Sequence, residues 1–149
     1  MDVAWLSSLF ALVAGAFITV QVGSNTELKK GFGEPLPALL VNYLVGFSAV
    51  LSYTLARHQG TLSFPKAMHT PWWGWVGGAA GAVYGLAAII LASQIGAARL
   101  TALVITGQLV SSVIFDHFGW LSFEVHTAGI GRVGGCALMI LGLILIAKY

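Results

Sequence analysis

Between Leu100 and Phe115 the chain carries no charge, yet Thr101, Gln108 and Ser112 recur there at helical spacing. At about 100° per residue the three share a narrow stripe, and Asp116 falls only slightly off it. The chemistry such a stripe offers is uncharged hydrogen bonding in apolar surroundings. An amide in the middle of an apolar helix is costly unless something meets it. Gln108 therefore has two readings: a bridge to a neighbouring helix, or a contact for a solute held in a cavity. Gln21, Asn25, Asn42 and Tyr84 bring the same chemistry to other apolar stretches, and Tyr43 and Phe115 could stack on a bound molecule. These residues suit a neutral or weakly anionic polar substrate.

The charged candidates lie at the ends of the apolar runs. Arg99 precedes one run and Arg132 sits in the first turns of another. Helix N-termini favour anions, so either could receive a carboxylate. The competing readings are that Arg132 pairs with Asp116 and that Arg99 reaches out to lipid headgroups. Asp116–His117 could take part in proton coupling, because histidine changes charge near neutral pH. His117 and His126 with Asp116 and Glu124 match no metal-ligand spacing, and no metal or cofactor is expected. No acidic residue lies near the middle of an apolar run: Glu27, Glu34 and Glu124 fall in expected loops, and Asp116 at a helix end. A buried carboxylate is the usual partner of a desolvated organic cation, so its absence argues against a simple cation exporter. No nucleophile–base pair, HExxH or phosphate loop is present, and an enzyme is not expected.

These residues need elements to hold them, and composition says which. Of 149 residues 58% are hydrophobic and 8% charged, whereas a soluble domain carries roughly a quarter charged residues. Such a chain expects lipid as its solvent. At about 20 residues per crossing, with loops subtracted, there is room for five transmembrane helices. The apolar runs predict them at about 4–23, 37–56, 72–93, 100–115 and 127–147, a single all-α membrane domain. Between the first two, NTELKKGFGEPLP reads as a polar loop broken by Gly31, Gly33, Pro35 and Pro37. The loop from Gln59 to Pro71 holds Lys66 and His69. Small residues recur at close-packing spacing: Ala11, Gly15, Thr19 and Gly23; Gly77, Gly81 and Gly85; Gly131 and Gly135. Ala14-Gly15-Ala16 resembles a signal cleavage site, but only Asp2 is charged before the first helix, where a signal would carry Lys or Arg. Net charge is +2 with no basic cluster, so nucleic acid is not an expected partner. The lone Cys136, inside an apolar run, reads as a packing residue.

Five crossings put the termini on opposite faces. The N-terminal face then carries Arg57, Lys66 and Arg132, and the other carries Lys29, Lys30, Arg99 and Lys148. Orientation follows the Lys/Arg excess on the cytoplasmic side, and three against four is almost no instruction. Dual insertion is the expectation. All five tryptophans (Trp5, Trp72, Trp73, Trp75, Trp120) fall on one face, so two opposed copies would give each interface a belt. Two copies about an in-plane two-fold axis make ten helices, the inverted-repeat plan of secondary transporters with a site near the midplane. A short echo agrees: Thr19-Val-Gln21-Val-Gly-Ser24 parallels Thr106-Gly-Gln108-Leu-Val-Ser111.

GGAAGAVYG (Gly77–Gly85), GAARLTALVITGQLVSSVIFDHFGWL (Gly96–Leu121) and GRVGG (Gly131–Gly135), with Gln21-x-x-x-Asn25 and the Pro35–Gly46 segment, resemble the YdcZ-like five-helix proteins. That group lies within the drug/metabolite transporter superfamily, and the resemblance covers essentially the whole chain. It implies a multi-pass protein of the bacterial inner membrane. It also implies relatives that occur singly, in pairs and as ten-helix fusions, the pattern expected of antiparallel assembly. Asn42-Tyr43 stands where many relatives are expected to carry Ser-Phe, which would change the polarity of a cavity there. The expected function is a small secondary transporter working by alternating access as an antiparallel homodimer, with coupling to protons. A passive channel and an accessory subunit of another transporter are the alternatives.

Overall fold

The computed structural model describes residues 3–58 and 70–149, with side chains from residue 5. Lys66 and His69 lie outside the described residues. Five helices follow in order: α1 (Val3–Phe32), α2 (Pro35–Arg57), α3 (Val76–Ile95), α4 (Ala97–Phe118) and α5 (Ile130–Lys148). A 3₁₀ turn over Trp72–Trp75 leads into α3, and another over Trp120–Ser122 follows α4. Five helical segments are long and apolar enough to cross a membrane: Trp5–Phe32, Pro35–Arg57, Trp72–Ile95, Ala97–Phe118 and Ile130–Lys148.

The largest departure from the sequence expectation is at the end of α1. The helix does not stop at Gly23 but continues through most of the polar segment to Phe32. Glu27, Leu28, Lys29 and Lys30 are good helix formers, and the charges at Glu27, Lys29 and Lys30 mark an exit from lipid and not an end of the helix. The actual stop is Gly33, at φ +78°, whose N–H closes on the Lys29 carbonyl at 2.8 Å. A helix of 30 residues is about 45 Å long, more than a hydrocarbon core of about 30 Å requires. Only Gly33 and Glu34 separate α1 from α2, and Pro35 and Pro37 are accommodated in the first turn of α2. The fourth helix likewise extends past the expected 100–115 at both ends, so Asp116 and His117 belong to its last turn. The fifth begins at Ile130, three residues later than expected.

The chain forms two compact units, Met1–Ser93 and Gln94–Tyr149. In the first, Ala38 and Leu39 of α2 meet Ile89 of α3, with Leu28 of α1 and Leu86 of α3 against them. Gly85 makes this approach close: a Cβ there would stand 2.7 Å from Leu39 Cδ1 and 2.9 Å from the Tyr43 hydroxyl. Tyr43 donates to the Gly81 carbonyl, tying α2 to α3. In the second unit α4 packs on α5, and no residue of α5 is fully buried. Phe10, Phe17, Val83, Leu138 and Ile144 are among many large apolar side chains left uncovered, as suits helices whose solvent is hydrocarbon. Gly15, Gly23, Gly77, Gly131 and Gly135 have nothing within 4 Å of where a Cβ would stand, so of the ridge glycines only Gly81 and Gly85 face a neighbour.

Candidate functional site

The polar stripe of α4 opens into a groove of about 510 Å³ in the second unit. Gln108, Ser111 and Ser112 supply its polar lining, Gly107 adds no side chain, and Leu103, Val104, Phe115, Leu121 and Phe123 supply its apolar lining. Hydroxyls on apolar helices commonly fold back onto the preceding turn. Thr26, Ser48, Thr54 and Thr106 do so, bonding Val22, Leu44, Val50 and Ala102 carbonyls at 2.7–2.8 Å. Gln108, Ser111 and Ser112 make no such bond among the described residues and keep their donors and acceptors for the groove. Thr101, on the same stripe, is half-buried and does not line it.

A second, smaller cavity of about 290 Å³ is lined by Leu109, Ser112, Val113, Asp116, Arg132 and Cys136 together with Gly135. Ser112 lines both, so the groove and the charged end of α4 are neighbours. Arg132 Nη1 lies 3.3 Å from Asp116 Oδ2 and 3.3 Å from the His126 carbonyl. The His126 N–H donates to the Asp116 carbonyl at 2.9 Å, and the Ala128 N–H donates to His117 Nδ1 at 3.2 Å. An N–H donor facing Nδ1 requires that nitrogen to be unprotonated, so the proton of a neutral His117 sits on Nε2. The pairing of Arg132 with Asp116 is thus present, and Arg132 is engaged on two acceptors. Arg99, in the first turn of α4, is exposed and has no polar partner among the described residues.

The connection between α4 and α5 shapes the groove. Gly119 ends α4 in the left-handed region at φ +65°, where a Cβ would also meet Val125 Cγ2 at 2.8 Å. Leu121 and Ser122 follow at φ +56° and +66°. Left-handed backbone costs a non-glycine residue roughly 1–2 kcal/mol. The turn is held by ring packing, Phe118–Trp120 stacked at 5.3 Å and Phe115–Trp120 tilted at 6.0 Å. Its result is to return Leu121 and Phe123 to the wall of the groove.

The remaining candidates lie in the first unit. Asn25 is only 4% exposed, and its Oδ1 has no hydrogen-bond partner. Gln21 is exposed on the same helix, Asn42 is half-buried, and Tyr84 is 37% exposed. The Tyr43 hydroxyl is spent on the Gly81 carbonyl. One turn beyond Asn25, Lys29 Nζ bonds Ser93 Oγ at 2.9 Å and so joins the end of α1 to the end of α3. Sequence reasoning singled out neither Lys29 and Ser93 as a pair nor Ser111, Leu121 and Phe123 as groove residues. Ser111 was within reach, since it closes the Gln108-Leu-Val-Ser111 echo; the turn residues carried no periodic signal.

A family model described as "Putative inner membrane exporter, YdcZ" matches residues 6–145. Over 144 residues the chain is 26% identical to the inner membrane protein YdcZ of Escherichia coli (strain K12), covering 96% of this chain and 95% of that one. No solved structure matches.

Proposed function

Because the chain belongs to the YdcZ inner-membrane exporter family and is a multi-pass protein of the inner membrane, we propose that it is a small secondary transporter. It carries a small neutral or weakly anionic organic molecule by alternating access, and two oppositely inserted copies enclose the pathway. The observation that carries this reading is the convergence of Gln108, Ser111 and Ser112, all with unspent hydrogen-bonding groups, on one groove of a membrane helix. In hydrocarbon those groups would be costly, whereas in a water-filled cavity they are ready to receive a solute. The family's description as an exporter supports outward movement.

The open side of the groove and the unfilled glycines Gly15, Gly131 and Gly135 leave surfaces that a second copy can cover. Asp116, one helical turn beyond Ser112 on α4, and Arg132 of α5 line the cavity next to the groove, and this pair is where coupling to protons would act. Arg99 remains available to a weakly anionic substrate at the start of α4.

The test is a ligand screen on purified protein by thermal shift, followed by counterflow of each hit in proteoliposomes. Saturable exchange that is lost in Gln108→Ala supports the transporter. Flux that never saturates and shows no exchange identifies a channel, and a purified chain that moves none of the hits identifies an accessory subunit.

A further inference from the structure

The geometry points to an amphipathic, uncharged substrate for the α4 groove: a flat apolar group seated between Phe115, Leu121 and Phe123, and a hydrogen-bonding end on Gln108, Ser111 and Ser112. This rests on the transport reading and narrows it. No residue lining the groove is titratable, and the charged side chains of the adjoining cavity, Asp116 and Arg132, are paired with each other. Gln108, Ser111 and Ser112 give the groove its hydrogen-bonding groups, and Leu103, Val104, Phe115, Leu121 and Phe123 give it an apolar surface that includes two rings. A small polar solute would satisfy the first and leave the second in contact with water.

The second observation is the turn that supplies part of this apolar surface. Two consecutive non-glycine residues, Leu121 and Ser122, adopt left-handed backbone. A connection needed only to join α4 to α5 has easier conformations, as the two-residue link between α1 and α2 shows with one glycine. Strain of this kind persists where surrounding structure imposes it, and its effect here is to carry Leu121 and Phe123 back to the groove. The volume of about 510 Å³ lies within the range of small-molecule sites.

The test is equilibrium dialysis of labelled probes against the full chain in lipid nanodiscs. N-acetylphenylalaninamide, neutral with a ring, should bind saturably and at least about tenfold more tightly than N-acetylglycinamide, which lacks the ring. Phenethylammonium and phenylacetate, which add a charge, should bind at least about tenfold more weakly than the neutral ring amide. Phe123→Ala should erase the preference for the ring, while Phe123→Leu should keep most of it. Should Phe123→Ala fail to fold, Leu121→Ala, on the exposed turn, carries the same expectation. Equal binding of both amides, with no effect of Phe123→Ala or Leu121→Ala, removes the apolar seat and leaves the transporter standing. Tighter binding of either charged probe overturns the uncharged substrate. Failure of both amides to saturate removes the apolar seat, and a disulfide formed between copies of a Leu103→Cys, Cys136→Ser variant would then assign the groove to a second copy. Lipid co-purifying at one molecule per chain and displaced by neither amide would assign it to an acyl chain.

Discussion

Arg132 Nη1 of α5 stands 3.3 Å from Asp116 Oδ2 in the last turn of α4, and this contact fastens the two helices beside the smaller cavity. The guanidinium also donates to the His126 carbonyl, so one side chain holds both a helix and the connection between helices. Both partners retain some exposure, which limits what the pair contributes. Arg132→Ala should lower stability by about 1 kcal/mol and reduce expression, and exchanging the two charges (Asp116→Arg with Arg132→Asp) should recover part of the loss. Thermal unfolding in detergent reads both. A normally stable Arg132→Ala that loses only transport would make the arginine a substrate contact instead.

Gly85 of α3 and Gly78 of the same helix should respond oppositely. An added methyl at Gly85 meets Leu39 and Tyr43 below 3 Å, whereas at Gly78 it meets nothing within 4 Å. Gly85→Ala should cost about 1–3 kcal/mol, as overpacking does. Gly78→Ala should be neutral or mildly stabilising, since alanine is the better helix former. Melting temperatures of the two variants in one detergent decide it. A Gly78→Ala that changes the oligomeric state without unfolding the chain would place a neighbouring copy on that face.

His117 should be found with its proton on Nε2. The Ala128 N–H points at Nδ1, and a protonated ring has no acceptor to offer it. Nitrogen chemical shifts of the labelled imidazole at pH 8 report the tautomer directly. Nδ1–H as the dominant form would mean that the clasp between α4 and the start of α5 is not made in solution.

Orientation is the fourth expectation. Seven Lys and Arg residues spread almost evenly over the faces that five crossings define give little instruction to the insertion machinery. A C-terminal reporter should therefore be active on both faces of the membrane. Adding three lysines at the C-terminus should shift the population to a single orientation and reduce transport, and co-expression with an oppositely fixed variant should restore it.

The helices were legible because lipid writes a long, simple signal: uncharged runs of the right length with glycine and tryptophan at their margins. The end of α1 was not, because polarity and helix termination are separate events. Lys29 and Lys30 leave the lipid while the helix goes on, and only Gly33, with its left-handed backbone, ends it. Gln108 and Ser112 stand on one polar stripe in the sequence, and the structure puts both in the wall of the α4 groove. Tyr43 shows the limit of that argument: its polar tip proves to be spent on a backbone carbonyl of the next helix, and no periodicity distinguishes a spent hydroxyl from a free one. Leu121 and Phe123 reach the groove through a turn with positive φ at ordinary residues, which sequence patterns do not encode.

Whether water reaches the polar stripe of α4 is the most direct question. With Cys136, the single cysteine of the chain, replaced by serine, a Ser112→Cys variant should react with a membrane-impermeant maleimide and be protected by a bound ligand, while Ile144→Cys on the exposed face of α5 should not react. Ser112→Cys as inert as Ile144→Cys from both faces of the membrane would mean that the stripe faces lipid or a sealed helix contact, and the transport pathway drawn through it would be contradicted.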